Sequence, residues 1–374
     1  MPSDYSPSSL AGAALAAEPA IANASHDGLR LPAMPGAHAV LPPAIGYRLF
    51  AAAIPALLSL LIAASPLQAA SQPSPAARET ALISLLKSNA PPAEKALACK
   101  QLAICGTTKA VPALAPFLSD PQLASWARIA LEAIPGSASD DALRRAMGKL
   151  QGPLLVGVIN SIGVRRDTKA AGGLEKCLKD KDPDVASAAA VALGHIGGKK
   201  VAKALNRSLA AAPDTVRPAV AEGCILCAER YLAQDKPAEA MKLYDVIRAA
   251  NVPRQKQLEA IRGAILARQS AGLPLLLEQL RSPDKALFGI GLRTARELPG
   301  REVTEALAAE LRRRELDRQP YLLLALADRS DAAVMPAVLE AAGSGPKKLR
   351  LVAVGILDRL SNVSSLSVLL NVAA

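Results

Sequence analysis

The chain has 374 residues, a formal net charge of +11 and an aromatic content of 2%. One hydrophobic core stops growing near ~250–300 residues, so this length calls for several domains or one long array. Scarce aromatics and the absence of sustained alternating segments argue against a β-rich fold and a base-stacking surface. The basic residues, interspersed with acids, read as solvated helix faces.

In chain order, residues 1–48 are expected to be a disordered extension. Residues 49–64, LFAAAIPALLSLLIAA, follow Arg48 and lead to Ala69 and Ala70. This run is shorter than the ~20 residues that span a bilayer and is followed by small residues, so a signal peptide over 49–70 with a mature start near Ser71 is expected. The preceding stretch is long, and only Arg30 and Arg48 in it are basic. Three alternatives therefore stay open: translation starting at Met34, an uncleaved membrane anchor over 49–64, and a hydrophobic leader artefact. No cysteine precedes Cys99, which excludes lipid modification at the cleavage site. The expected location is periplasmic or extracellular, with membrane contact only through an uncleaved 49–64 segment. Export in turn argues against nucleic acid as partner.

Residues 71–91 read as a linker and first capping helix, and 92–374 as an array. A step of 31 residues superposes Leu123, Leu154, Val185 and Val216, then Ala127, Val158, Ala189 and Val220, then Leu131, Ile162, Leu193 and Cys224. Between these helices, Leu143, Leu174 and Leu205 form a row, as do Ala146, Cys177 and Ser208, and Met147, Leu178 and Leu209. Spacings of three and four residues place each set on one helix face. Later units keep the plan: Leu287 and Leu298 match Leu349 and Leu360, and Pro274 matches Pro336. Pro112, Pro274 and Pro336 suit the first turn of second helices, and Gly106, Gly136, Gly198 and Gly300 suit left-handed C-caps. The expected fold is all-α: a right-handed α-solenoid, or superhelix, of about nine stacked antiparallel helix pairs.

The stretch DPDVASAAAVALGHIGG, residues 182–198, carries alanine on nearly every side, as a helix packed between like neighbours requires. Asp182 to Val185, the alanine-rich helix, the Gly197-Gly198 stop and KVAKALNRSLAAA resemble HEAT repeats of the short bacterial, phycobilisome-lyase-like type. SDPQLASWARIALEAIPG, residues 119–136, is a second match. The resemblance runs from about Pro92 to Ala374 and speaks to fold, since its residues pack and cap. Residues 214–251 form a longer unit; LAQDKPAEAMKLYDVI resembles a tetratricopeptide second helix, with Ala240 and Tyr244 in matching places, and an ordinary long insertion is the other reading.

His195 is the single histidine after the apolar run; at the last turn of its helix it is expected to donate to the final carbonyls. Deoxyhypusine hydroxylases resemble such arrays too, but the His-Glu pairs expected of their di-iron site match no position here, and nothing marks the chromophore pocket of a bilin lyase. Cys224 and Cys227 have a metal-like spacing yet sit in helical register, as does Cys177, and read as small buried residues. No catalytic, cofactor-binding or metal-binding residue is expected, nor a small-molecule substrate.

Arg145, Lys176 and Arg207 stand 31 residues apart, two positions after the leucines of their row. They are expected to form a basic ladder on neighbouring second helices, which in HEAT arrays commonly line the concave side, facing an acidic protein partner or plain solvent. The expected function is a non-catalytic, extracytoplasmic protein-interaction scaffold. Two alternatives are the interaction region of a larger exported enzyme, suggested by the apolar ending SVLLNVAA, and a basic nucleic-acid binder.

Overall fold

The computed structural model describes residues 74–329, 331–360 and 370. The expected signal peptide and nearly all of SVLLNVAA lie outside them, as does the side chain of Leu360.

α1 (Pro75–Lys87) precedes a succession of helical hairpins. These are α2 (Pro92–Cys105) with α3 (Val111–Leu114), α4 (Ala124–Ala133) with α5 (Ser137–Met147), α6 (Gly152–Arg165) with α7 (Ala171–Cys177), and α8 (Pro183–Ile196) with α9 (Lys199–Ala211). There follow α10 (Arg217–Leu232) with α11 (Pro237–Ala249), α12 (Arg254–Ala267) with α13 (Leu273–Arg281), α14 (Lys285–Glu297) with α15 (Arg301–Leu311), and α16 (Gln319–Ala327) with α17 (Met335–Ser344). α18 (Lys347–Leu360) opens a further unit. Each first helix packs on the next, from α2 through α18, so the described helices form an α-solenoid. No strand occurs among the described residues.

Local chemistry sets the helix starts. Pro112, Pro274 and Pro336 stand in the first turns of α3, α13 and α17, where a missing N–H leaves no partner wanting. Asp182 and Asp284 cap α8 and α14, accepting from the backbone N–H of Asp184 and of Ala286 and Leu287. The glycines depart from expectation. Gly136, Gly198 and Gly300 have φ of 95°, 97° and 112° but stand as N-caps of the second helices, and Gly106 ends α2 in extended backbone with φ −73°. The positive-φ residue that terminates α8 is Gly197.

Burial follows the repeat. Leu131, Ile162 and Leu193 are fully buried, Cys224 is nearly so, and Leu143, Leu174 and Leu205 are fully buried beneath them. Leu154 is half-buried, because Leu155 is the residue that α6 turns inward. Ala146, Cys177, Ser208, Met147 and Leu178 are also half-buried, as the second helices keep one side open to solvent.

The small residues of α6, α8 and α10 serve close approach. A Cβ on Gly223 would fall 2.3 Å from the carbonyl oxygen of Ala190, and one on Gly163 would fall 2.9 Å from the Cα of Ala192. Backbones so near leave no room for a larger side chain, which explains the alanine-rich α8. The buried side chains form two clusters: one runs from Leu82 to Ala267, the other from Ile261 to Leu357. α12 contributes to both.

Two arginines tie consecutive units. Arg165, at the end of α6, donates to the carbonyls of Leu131, Glu132, Ile134 and Gly136 at 2.8–2.9 Å and pairs with Asp140. Arg329 donates to the carbonyls of Ala295, Leu298 and Gly300 and to Thr304 Oγ1. Both supply donors to carbonyls at the end of the preceding first helix and in the turn that follows it.

Candidate interaction groove

Stacked hairpins leave furrows between successive second helices. One, of about 810 Å³, lies between α7 and α9, closed at its base by the starts of α8 and α10. Its floor is small and apolar: Ala186, Ala204, Val216 and Val220, all buried. Its rim carries Lys176, Lys179, Lys181 and Arg207, all exposed. Glu175 and Asp180 also line it, and Asp180 accepts from the backbone N–H of Asp182. None of the four rim cations has an ion-pair partner among the described residues. Between residues 137 and 211, 13 Lys and Arg stand against 7 Asp and Glu, so this segment concentrates the chain's positive charge.

Of the predicted ladder, the structure brings Lys176 and Arg207 onto one groove. Arg145 is exposed on α5 and does not line it. Lys179 and Lys181 escaped the repeat-based search because Gly148 and Ala210 occupy the positions 31 residues either side of Lys179. Lys179 and Arg207 line one furrow, a relationship that no fixed step reveals.

His195 is half-buried in the last turn of α8, and its Cδ2 lies 3.6 Å from where a Cβ on Gly163 would sit. Arg230 donates to the carbonyl of His195 at 3.2 Å, so the last turn of α8 receives a guanidinium donor from the next unit. The guanidinium reaches from the next unit and packs against the Gly197 turn, placing a fixed positive charge at the negative end of the helix.

Cys224 and Cys227 are buried free thiols. Burial, with Cys227 nearby, pushes the Cys224 thiol up to about 12, and burial pushes Cys227 up to about 11. Thiols held in this way stay protonated near neutral pH and are poor nucleophiles and ligands. Among the described residues no group of three or more His, Cys, Asp and Glu is placed to hold a metal ion. No described helix is long and apolar enough to cross a membrane.

A second furrow, of about 350 Å³, is lined by Glu222, Glu229, Tyr244, Lys256, Glu259 and Arg262. Lys256 bridges Glu222 and Glu259 there, while burial and the neighbouring Glu222 raise the Glu229 carboxyl above its ordinary value. Ala240 and Tyr244, the tetratricopeptide-like positions, are buried, and the Tyr244 ring fills the space beside Gly263.

Comparison with known proteins matches residues 153–224 to the HEAT repeats family. No curated protein matches the chain. Among solved structures, it is similar to an engineered protein at 18% identity, covering 75% of this chain and 88% of that one, with a TM-score of 0.36. It is similar to human deoxyhypusine hydroxylase in complex with glycerol at 17% identity, covering 67% and 96%, with a TM-score of 0.32. It is also similar to the complex of CpcE and CpcF of phycocyanin lyase from Nostoc sp. PCC7120 at 21% identity, covering 79% and 97%, with a TM-score of 0.30. The matched residues run from the start of α6 to Cys224 in α10 and include the whole of α7 and α9. Residues 153–224 thus carry HEAT repeats, and the helical pairs on either side of them continue the same stacked plan.

Proposed function

We propose that the chain is a non-catalytic protein-interaction scaffold working outside the cytoplasm, its HEAT array offering the face of its second helices to a protein partner. One observation carries the reading: the furrow between α7 and α9 is rimmed by the exposed Lys176, Lys179, Lys181 and Arg207, while Cys99, Cys224 and Cys227 are sequestered as protonated thiols. Shape and surface charge are then the means of recognition. The extracytoplasmic location rests on the apolar run 49–64 and the small residues after it.

The test is a pull-down from extracytoplasmic extract with the tagged full chain, together with mass spectrometry of the chain's own N-terminus. Recovery of a stoichiometric protein partner and a mature start near Ser71 are the expected outcomes. A full-length, cytoplasmic chain that captures no protein would defeat the proposal.

A further inference from the structure

We infer that the α7–α9 groove binds an extended acidic peptide of a partner protein. Lys176, Lys179 and Arg207 hold its carboxylates, and its small apolar side chains lie on Leu178, Ala204 and Ala211. The assignment rests on the scaffold reading and gives it a site.

Comparison with equivalent junctions carries the argument. Arg281 follows the buried Leu280 at the end of α13 and crosses to Glu310 of α15 at 2.8 Å. Arg312 follows the buried Leu311 at the end of α15 and crosses to Glu340 of α17 at 2.6 Å. Lys179 follows Leu178 in the same way, but across its furrow stand Arg207 and Ser208 in place of a glutamate. Two junctions are thus closed by opposite charges, whereas here two cations, Lys179 and Arg207, line the furrow with no ion pair to an acid among the described residues. The volumes agree: the bridged α15–α17 junction encloses about 300 Å³, against about 810 Å³ between α7 and α9. A carboxylate supplied by another chain takes the place that Glu340 fills in the later unit.

The lining also discriminates among anions. It holds no aromatic residue on which a base would stack, and Glu175 and Asp180 interrupt its positive charge. A continuous polyphosphate backbone would meet both carboxylates, whereas a peptide with spaced acids avoids them. The apolar floor suits alanine- and leucine-sized side chains and offers nothing to a sugar–phosphate strand.

Fluorescence anisotropy on the full chain tests the assignment. The probe is a labelled peptide of about twelve residues, mixed from Glu, Asp, Ala and Leu; the controls are its Gln/Asn counterpart and an oligothymidylate of similar length. The acidic peptide should bind, and binding should weaken as sodium chloride rises from about 50 to about 300 mM. Arg207→Glu and Lys179→Glu should each weaken it by about tenfold or more, and Arg145→Glu, outside the groove, by less than about twofold. Circular dichroism confirms that these surface variants remain folded. Failure of the acidic peptide to bind, equal binding of the neutral peptide, tighter binding of the oligothymidylate, or indifference to Arg207→Glu would each overturn the assignment. A captured partner that ignores Arg207→Glu would remove the groove and leave the scaffold reading standing. Peptide binding with no partner recovered would count against the scaffold reading alone.

Discussion

Arg165 and Arg329 perform one task in two distant units. Each reaches back from the end of a first helix to the turn that closes the preceding one, and each meets a polar side chain in the helix beyond, Asp140 for Arg165 and Thr304 for Arg329. Arg329 is buried, and burial lowers its guanidinium below the ordinary arginine value. Replacing Arg329 by Met keeps the apolar stem and strips the donors, leaving the carbonyls of Ala295, Leu298 and Gly300 without them. Arg329→Met should cost about 2–4 kcal/mol in urea unfolding. Lys200→Met, at an exposed site, should change stability by less than about 0.5 kcal/mol.

Close backbone contact between α8 and α10 makes glycine obligatory at Gly223. A methyl group there would meet the carbonyl oxygen of Ala190, which belongs to a helix backbone and cannot swing aside. Gly223→Ala should therefore destabilise the chain by about 1–3 kcal/mol. Gly289 in α14 is the opposite case, with nothing within 4 Å of an added Cβ. Gly289→Ala should raise stability by about 0.5–1 kcal/mol through helix propensity and a less flexible unfolded chain. Chemical denaturation of the two variants side by side reads both signs.

Leu193 is fully buried between like helices, and Leu154 is only half-buried. Leu193→Ala should cost about 2–5 kcal/mol, and Leu154→Ala less than half as much. Equal losses in the two variants would contradict the register of the array.

The raised thiols make a prediction with a definite sign. In the unfolded chain Cys224 and Cys227 ionise near their ordinary value of 9.0, while in the folded chain they hold their protons up to about 12 and about 11. Their contribution to stability is complete below pH 9.0 and is lost as pH rises through the folded values. A Cys224→Ala/Cys227→Ala variant should show a shallower decline of stability at alkaline pH. In the native wild-type chain near neutral pH, iodoacetamide should spare both cysteines until urea is added, as mass spectrometry of the alkylated peptides will report.

At the acid end, Glu310 behaves in the opposite way. Burial works to raise its carboxyl, and Arg281 and Arg314 more than offset this, so it lies below the ordinary carboxylate value. Its contribution is present above that ordinary value and disappears as pH falls through the lowered one. Glu310→Gln should accordingly flatten the loss of thermal stability below about pH 4.5, measured by calorimetry.

The repeating rows were legible because burial in a stacked array recurs with the chain's own period. Ala189, Val158 and Leu193 could be placed in the core from spacing alone. Half of the groove was legible for the same reason, since Lys176 and Arg207 repeat at 31 residues. Lys179 and Lys181 were not, because a furrow is made by the separation and tilt of helices, which leave no period behind. The arginine ties were hidden too: their partners are backbone carbonyls, which carry no residue identity. Glycine roles were partly misassigned. Helices joined by a turn as short as Gly197-Gly198 share their end and start, so a glycine read as the C-cap of one helix is as readily the N-cap of the next.

α12 places Ala260 and Ala264 in one cluster of buried side chains and Ile261 and Ile265 in the other. Of the furrow floor, Ala186, Val216 and Val220 belong to the earlier cluster, several helices upstream of this seam. Fraying that starts at the carboxyl-terminal units can stop at α12 with the basic rim still in place, since linear assemblies open from their ends inward. Loss of those late units would shorten the molecule and leave the α7–α9 furrow whole.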